Sequence, residues 1–98
     1  MEGVMGMDLE PHHGGNRLHY NLAGWGAIRK LAWLKCKVTL PCLNEGEEIP
    51  ADICWCIGNG IEEHAEWYNN QFGGGGYGEA PAAEHAWFWK NSTGVSVW

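Results

Sequence analysis

Several signals are missing from this sequence of 98 residues. It has no uncharged apolar run long enough to cross a bilayer, and its first residues lack the basic and then apolar pattern of a secretory signal peptide. These absences predict a cytoplasmic protein that does not insert into a membrane. In that compartment the four cysteines are expected to be free thiols or metal ligands rather than disulfides.

Motifs that would fix a reaction or a metal are missing as well. The cysteines are spaced as Cys36-x5-Cys42 and Cys54-x-Cys56, not as the Cys-x-x-Cys knuckles of zinc ribbons. The glycine-rich residues 73–78 are not followed by the Gly-Lys-Ser/Thr of a phosphate-binding loop. Basic residues number only six against twelve acids, which argues against a general nucleic-acid binder because that affinity comes from neutralising phosphates.

What the sequence does contain is an alternating pattern around a turn signal in residues 53–68. The loop Gly58-Asn59-Gly60 predicts a β-hairpin. With three residues in the loop, one face carries the apolar side chains and packs on the core: Ile53, Trp55, Ile57, Ile61, Ala65 and Trp67. The other face carries Asp52, Cys54, Cys56, Glu62, His64 and Glu66, with Cys54 directly across from His64.

The first half of the chain contains the one helical pattern. Its apolar residues recur at three- and four-residue steps: Leu22, Trp25, Ile28 and Ala32. This spacing predicts a helix over about residues 23–32, with Asn21 as its cap. Residues 37–40 are predicted to form a strand that Pro41 ends. Whether Trp33 belongs to the helix or to the strand stays open.

The remaining segments complete the predicted fold. Residues 85–89 and 95–98 flank an Asn-Ser-Thr-Gly turn and predict a second hairpin. Residues 1–16 show neither helical nor strand spacing and are predicted to be a flexible N-terminal arm, followed by a single small globular domain over residues 17–98. The prediction is an α+β fold, β-dominated, with an antiparallel sheet of about five strands or a half-open barrel, and one N-terminal helix.

Charge is divided between two parts of the chain. Residues 17–37 contain five basic residues, and no acid lies between Pro11 and Asn44. From Glu45 onward there are nine acids and one basic residue, Lys90. The two segments can neutralise each other within the fold, or between subunits of a homo-oligomer that joins basic residues 17–37 to acidic residues 45–84. The alternative is a bipolar surface, basic at one end for an anionic ligand.

The order of several residues resembles a small domain family of bacteriophages and prophages whose function is unknown. The matching residues are Trp33, Leu40-Pro41, Gly46, the apolar residues 53–57, Gly60, Ala65, Trp67 or Tyr68, Phe72, and His85 with Trp87. The family pattern ends in His-Trp-Met-Pro, whereas here Ala86 separates His85 from Trp87 and no Met-Pro follows. The resemblance covers residues 33–89. It implies a phage-encoded accessory protein with a small antiparallel β domain, and it transfers no catalytic residues.

Two chemical hypotheses concern the outer face of the first hairpin. A zinc ion would take Cys54, Cys56 and His64, with His85, Cys36 or Cys42 completing its ligands. A catalytic dyad would pair Cys54 with His64, although the neighbouring carboxylates would raise the pKa of the thiol and so oppose it. We expect no cofactor and no enzymatic activity, with a zinc-stabilised interaction module or a small Cys/His-dependent enzyme as the alternatives.

Binding without chemistry accounts better for the seven tryptophans and the divided charge. Exposed tryptophans anchor interfaces, and a cation beside one can hold a phosphate while a base stacks on the ring. The candidate ligand- or partner-binding residues are Arg29, Lys30, Trp33, Lys37, Trp55, Trp67, Tyr77, Trp87 and Trp89. The predicted function is antagonism of a host antiviral defence by binding a host protein. The alternative is sequestration of a small nucleotide signalling molecule in an aromatic and basic pocket.

Overall fold

Four short strands form one antiparallel sheet in the computed structural model, which describes residues 6–13, 17–41, 43–68 and 82–98. The strands are β1 (Gly6–Pro11), β2 (Leu18–Asn21), β3 (Glu48–Pro50) and β4 (Gly94–Val97), in the order β2-β1-β4-β3. The helices of these residues are α1 (Leu22–Leu31), α2 (Ala51–Glu63) and α3 (Ala82–Asn91). A π-helical turn, Ala32–Cys36, extends α1, and a 3-10 turn, Ala65–Trp67, follows α2. None of the described helices combines the length and apolar character that a membrane span requires.

The two faces of the sheet differ because side chains alternate along each strand. One face carries buried side chains: Leu9, Leu18, Tyr20, Ile49, Val95 and Val97. The other carries polar side chains that include Asp8, His19 and Ser96. Since α1 packs on β1 and β2 while α2 packs on β3 and β4, the core lies between the sheet and the helices.

The helix predicted over residues 23–32 is confirmed as α1. Asn21 caps it as predicted, because its side-chain oxygen accepts a hydrogen bond from the backbone nitrogen of Gly24 at 2.7 Å. Beyond Leu31 the helix widens into the π-helical turn, and Trp33 lies in this turn with 54 % of its surface exposed. Trp33 is therefore a helical surface residue and not part of a strand.

The strand predicted over residues 37–40 is not formed. Lys37 ends the π-helical turn in the left-handed conformation, with a φ of 58°. The backbone nitrogens of Lys37 and Val38 donate to the carbonyls of Trp33 and Ala32, at 3.0 and 3.4 Å. These bonds satisfy carbonyls at the end of the helix and turn the chain sharply, so the following residues do not reach a sheet edge.

The β-hairpin predicted over residues 53–68 is wrong, because most of this stretch forms α2. Its buried residues also fit helical spacing: Cys54, Ile57, Gly58 and Ile61. Gly58 and Gly60 resemble a turn signal, but both lie within α2, and Gly58 is required for close packing. A Cβ on Gly58 would lie 2.7 Å from the backbone nitrogen of Lys90 and 2.9 Å from the carbonyl oxygen of Ala86. Only a residue without a side chain lets α2 approach α3 this closely.

Other parts of the predicted fold are also corrected. Residues 85–89 lie in α3 and not in a strand, while a strand near residues 95–98 is confirmed as β4. Residues 6–11 of the predicted arm form β1, which pairs with β2 and β4. The α+β class is confirmed. The sheet has four strands, with open edges at β2 and β3 instead of a barrel, and the described residues contain three helices rather than one.

Three polar aromatic side chains connect α3 to the sheet inside the core. Trp89 Nε1 donates to the Tyr20 hydroxyl at 2.8 Å, and this hydroxyl lies 3.0 Å from Nδ1 of His85, to which it can donate. His85 is fully buried. Burial lowers the pKa of His85 to about 4, because the charged imidazolium would lose its hydration. The native protein therefore holds the neutral ring at neutral pH.

The contact between α2 and α3 predicts opposite effects for two glycine substitutions. Gly58→Ala should lower the free energy of unfolding by about 1–3 kcal/mol, because backbone atoms of α3 cannot move aside. Gly26→Ala, in α1, should raise it by about 0.5–1 kcal/mol, since no atom lies within 4 Å of the added carbon and alanine favours a helix. Urea unfolding measures both values. A Gly58→Ala protein as stable as the wild type would contradict the packing of these helices.

The buried imidazole predicts a loss of stability in acid. His85 has a pKa near 6.5 when unfolded and about 4 in the native protein, so the unfolded state binds more protons between these values. About 3 kcal/mol of unfolding free energy should be present above pH 6.5 and be lost as the pH falls to 4. Urea unfolding at pH 7 and pH 4 measures this loss.

A matched pair of variants separates His85 from the other groups that titrate in this range. His85→Asn keeps an amide oxygen near the position of Nδ1 and cannot titrate, so its loss between the two pH values should be smaller by about 3 kcal/mol. His13→Asn changes an exposed histidine and should behave as the wild type does. The same pH dependence in all three proteins would show that His85 is not the group responsible.

Candidate ligand-binding groove

A groove on the exposed side of α1 contains two neighbouring cavities. The first, called the Trp33 cavity, has a volume of about 450 Å³ and is lined by Gly26, Arg29, Lys30, Trp33, Thr39 and Leu40. The second, called the Trp67 cavity, has a volume of about 310 Å³ and is lined by Gly26, Ala27, Lys30 and Trp67. Because Gly26 and Lys30 line both cavities, the two adjoin along α1, and together they are called the groove.

Helical spacing brings most of the groove residues together. Gly26, Arg29, Lys30 and Trp33 follow at three- and four-residue steps and so share one face of the helix. Gly26 leaves a gap in this face, since no atom lies within 4 Å of the place where its Cβ would be. Thr39 and Leu40 line the Trp33 cavity from outside the helix. A hydrogen bond of 2.6 Å, which Arg29 Nε donates to the carbonyl of Leu40, holds this segment against α1.

Trp67 reaches the groove from the 3-10 turn that follows α2. Its ring stacks on the ring of His64, with the centroids 4.0 Å apart. Lys30 Nζ lies 5.7 Å from the centroid of the Trp67 ring. This separation is near the outer limit of a cation–π contact, so the attraction is weak. His64 is therefore the nearer of these two neighbours of the indole.

The two cations of the groove have no acidic partner among the residues that the structure describes. Arg29 and Lys30 form no ion pair there. Lys35, by contrast, pairs with Glu63 at 2.6 Å, which joins the basic segment to the acidic segment within the chain. Among the described residues, the groove therefore presents two positive charges without an ion-pair partner, in a protein of net charge −6. An anionic ligand would be attracted to it.

The predicted binding residues are divided among several places. Four of them meet in the groove: Arg29, Lys30, Trp33 and Trp67. Lys37 is exposed but lines neither cavity. Trp55 and Trp87 are 56 % and 66 % exposed, on α2 and α3. Trp89 is fully buried in the core and is not accessible to a ligand, and Tyr77 lies outside the described residues.

The predicted zinc ligands Cys54, Cys56 and His64 are not brought together. The two cysteines lie about 200° apart around α2, and His64 follows the helix roughly 15 Å beyond Cys54 along its axis. Because Cys54 and His64 are this far apart, they cannot form the predicted catalytic dyad. Of the candidates for a fourth ligand, Cys36 lies within hydrogen-bonding reach of Cys56, His85 lies in the core, and Cys42 lies outside the described residues. Within the described ranges, no group of three or more His, Cys, Asp or Glu side chains could hold a metal ion.

Sequence reasoning missed four residues that line the groove: Gly26, Ala27, Thr39 and Leu40. Gly26 could have been found, because it lies four residues before Lys30 on the predicted helix. Thr39 and Leu40 could not, because their position depends on the left-handed conformation of Lys37. Lysine rarely adopts that conformation, so nothing in its identity indicates the turn.

Comparison with protein-family models, with curated proteins and with solved structures gives no match for this chain. The function of the groove is therefore inferred from its own residues. The resemblance to the phage and prophage family stays a prediction.

The position of Cys54 in α2 predicts that it reacts with alkylating reagents far more slowly than Cys56. Cys54 is buried, its Sγ lies 3.7 Å from the carbonyl oxygen of Ile49, and burial raises the pKa of the thiol to about 12. Very little of the reactive thiolate exists at neutral pH in that environment. Labelling with iodoacetamide at pH 8, followed by peptide mass spectrometry, measures both residues in one sample, with the urea-unfolded chain as control. Equal rates in the native protein would contradict this burial.

Proposed function

We propose that the protein is a non-enzymatic, phage-type accessory protein that antagonises a host antiviral defence by sequestering a small nucleotide signalling molecule in the groove. The observation that carries the proposal is the lining of the Trp33 cavity, where Arg29 and Lys30 lie beside a half-exposed tryptophan ring. A nucleotide combines the two features that such a lining recognises, an anionic phosphate and a flat aromatic base.

Each part of a nucleotide has a partner in the Trp33 cavity. A base stacked on Trp33 would contribute about 1–3 kcal/mol. Lys30 would contact the phosphate. Arg29 uses Nε for the carbonyl of Leu40, which leaves its two terminal nitrogens as further donors. Charge-assisted hydrogen bonds contribute about 1.5–3 kcal/mol each, so the combined contacts would support a dissociation constant roughly between millimolar and micromolar.

Sequestration fits this lining better than turnover does. The described residues that line the two cavities include no carboxylate, no thiol and no imidazole. Acid–base and nucleophilic catalysis depend mainly on such groups. Cations and an aromatic ring can hold a nucleotide, and the lining offers no evident means of cleaving it.

A second candidate function is the docking of a host defence protein, which the sequence favoured. Its support comes from Trp55 and Trp87. Trp55 lies one helical turn before Gly58, where α2 touches α3, and Trp87 lies one turn before Lys90 on the other side of the same contact. Both rings are more than half exposed, and exposed tryptophans commonly anchor protein interfaces. Docking would thus use a surface other than the groove.

Nucleotide binding should raise the melting temperature of the protein and quench its tryptophan emission. ATP and cyclic AMP are suitable first probes. Trp33→Ala should weaken binding at least about fivefold because the stacking surface is lost, and Lys30→Gln at least about tenfold because the phosphate contact is lost. Isothermal titration calorimetry measures the dissociation constants.

Two control variants make the same chemical changes outside the groove. Trp87→Ala removes an exposed tryptophan from α3, and Lys37→Gln removes an exposed cation that lines neither cavity. Both should bind nucleotides within twofold of the wild type. Absence of nucleotide binding at millimolar concentration would contradict sequestration. Loss of host-protein capture in Trp87→Ala alone would then support docking in its place.

A further inference from the structure

The two halves of the groove are built in the same way. Each has one tryptophan on its wall, Trp33 in the larger cavity and Trp67 in the smaller one. Both halves share Lys30, which therefore lies between them and not at one end of the groove. Two aromatic surfaces thus flank a single ammonium group.

Each half is large enough to hold a base with part of its sugar. Small-molecule sites have volumes of roughly 300–1,000 Å³, and the two halves measure about 450 and 310 Å³. A mononucleotide in the Trp33 cavity would leave the Trp67 cavity to water and would contact Lys30 from one side only. A ligand that occupies both halves would use every aromatic and cationic group of the groove.

Lys30 can turn from its present position toward a phosphate. Its contact with Trp67, at 5.7 Å from the ring centroid, is weak, whereas a charge-assisted hydrogen bond to a phosphate oxygen is strong. When Lys30 turns away, the part of the indole that it covers becomes available to a second ring. His64 stays stacked on Trp67 and holds the indole in place.

Gly26 provides space for a linking group between the two halves. It lines both cavities, and no atom lies within 4 Å of the position where its Cβ would be. A ligand can therefore run continuously from one half to the other across the backbone of α1. Any long side chain at this position would stand in that path.

We infer that the groove binds a dinucleotide, with one base at Trp33, the other at Trp67 and a bridging phosphate at Lys30. This inference rests on the proposed function and narrows its ligand class from nucleotides in general to those with two bases joined through phosphate. Arg29 lines only the Trp33 cavity. It is therefore the partner for a second phosphate on that side, as a cyclic dinucleotide would present.

A comparison of AMP with cyclic di-AMP changes the number of bases in the ligand while its total charge stays nearly the same. Each carries about two negative charges at pH 7.5, but only cyclic di-AMP has two bases. Isothermal titration calorimetry should show one cyclic di-AMP bound per chain, at least tenfold more tightly than AMP. A ratio below threefold would overturn the dinucleotide inference and leave nucleotide sequestration intact. Failure of both probes to bind at millimolar concentration would overturn the two together.

Substitutions test the second half of the groove. Trp67→Ala should bring the ratio of the two affinities close to one, because the surface for the second base is lost. Trp67 also packs partly against the core, so Gly26→Leu provides an independent variant. Leucine favours a helix and its Cβ meets no neighbouring atom at this position, yet its side chain would block the path between the two halves.

Gly26→Leu should melt at or above the wild-type temperature and lose the preference for cyclic di-AMP. Trp87→Ala removes an exposed tryptophan that lines neither cavity. This variant should keep the full preference. A folded Gly26→Leu protein with an unchanged preference would contradict continuous occupation of the groove.

Discussion

Gly58 of α2 determines how closely α2 and α3 pack. At Gly58 the backbone of α2 lies against Lys90 and Ala86 of α3, and at Gly60 an added Cβ would lie 3.4 Å from the side chain of Leu31 in α1. A side chain at Gly58 would meet backbone atoms that cannot yield, so α2 would have to move away from α3. The layer of helices above the sheet depends on this close approach.

The groove follows from the same packing. α1 turns Leu31 toward α2, and the ion pair between Lys35 and Glu63 joins the π-helical turn to the end of α2. Gly26 and Lys30 lie on another face of α1 and stay exposed. Because α2 ends at Glu63, the short turn after it brings Trp67 to the rim of the groove. A binding surface thus forms from a helix face that the core does not use.

The sequence predicted an element correctly where its local signals all favoured the same structure. The α1 helix was predicted because its apolar spacing and its Asn21 cap agree, and that helix already placed Arg29, Lys30 and Trp33 on one face. The hairpin failed because a glycine between apolar residues signals a turn or a close helix contact equally well.

The remainder of the groove depends on contacts between distant parts of the chain. The position of Trp67 in the groove can be predicted only if α2 is known to be a helix and its end is known. The wall formed by Leu40 requires the left-handed conformation of Lys37 and the hydrogen bond from Arg29. Neither can be read from local spacing, because each is decided by packing and hydrogen bonds that form only in the folded protein.

The central claim is that a phosphate-containing ligand enters the groove at Lys30, between two tryptophans. The indole N–H signals of the seven tryptophans report on it directly in a nitrogen–proton correlation spectrum. Addition of cyclic di-AMP is predicted to shift the signals of Trp33 and Trp67 and to leave those of Trp55 and Trp87 unchanged. Shifts confined to Trp55 and Trp87, with none at Trp33, would contradict the account.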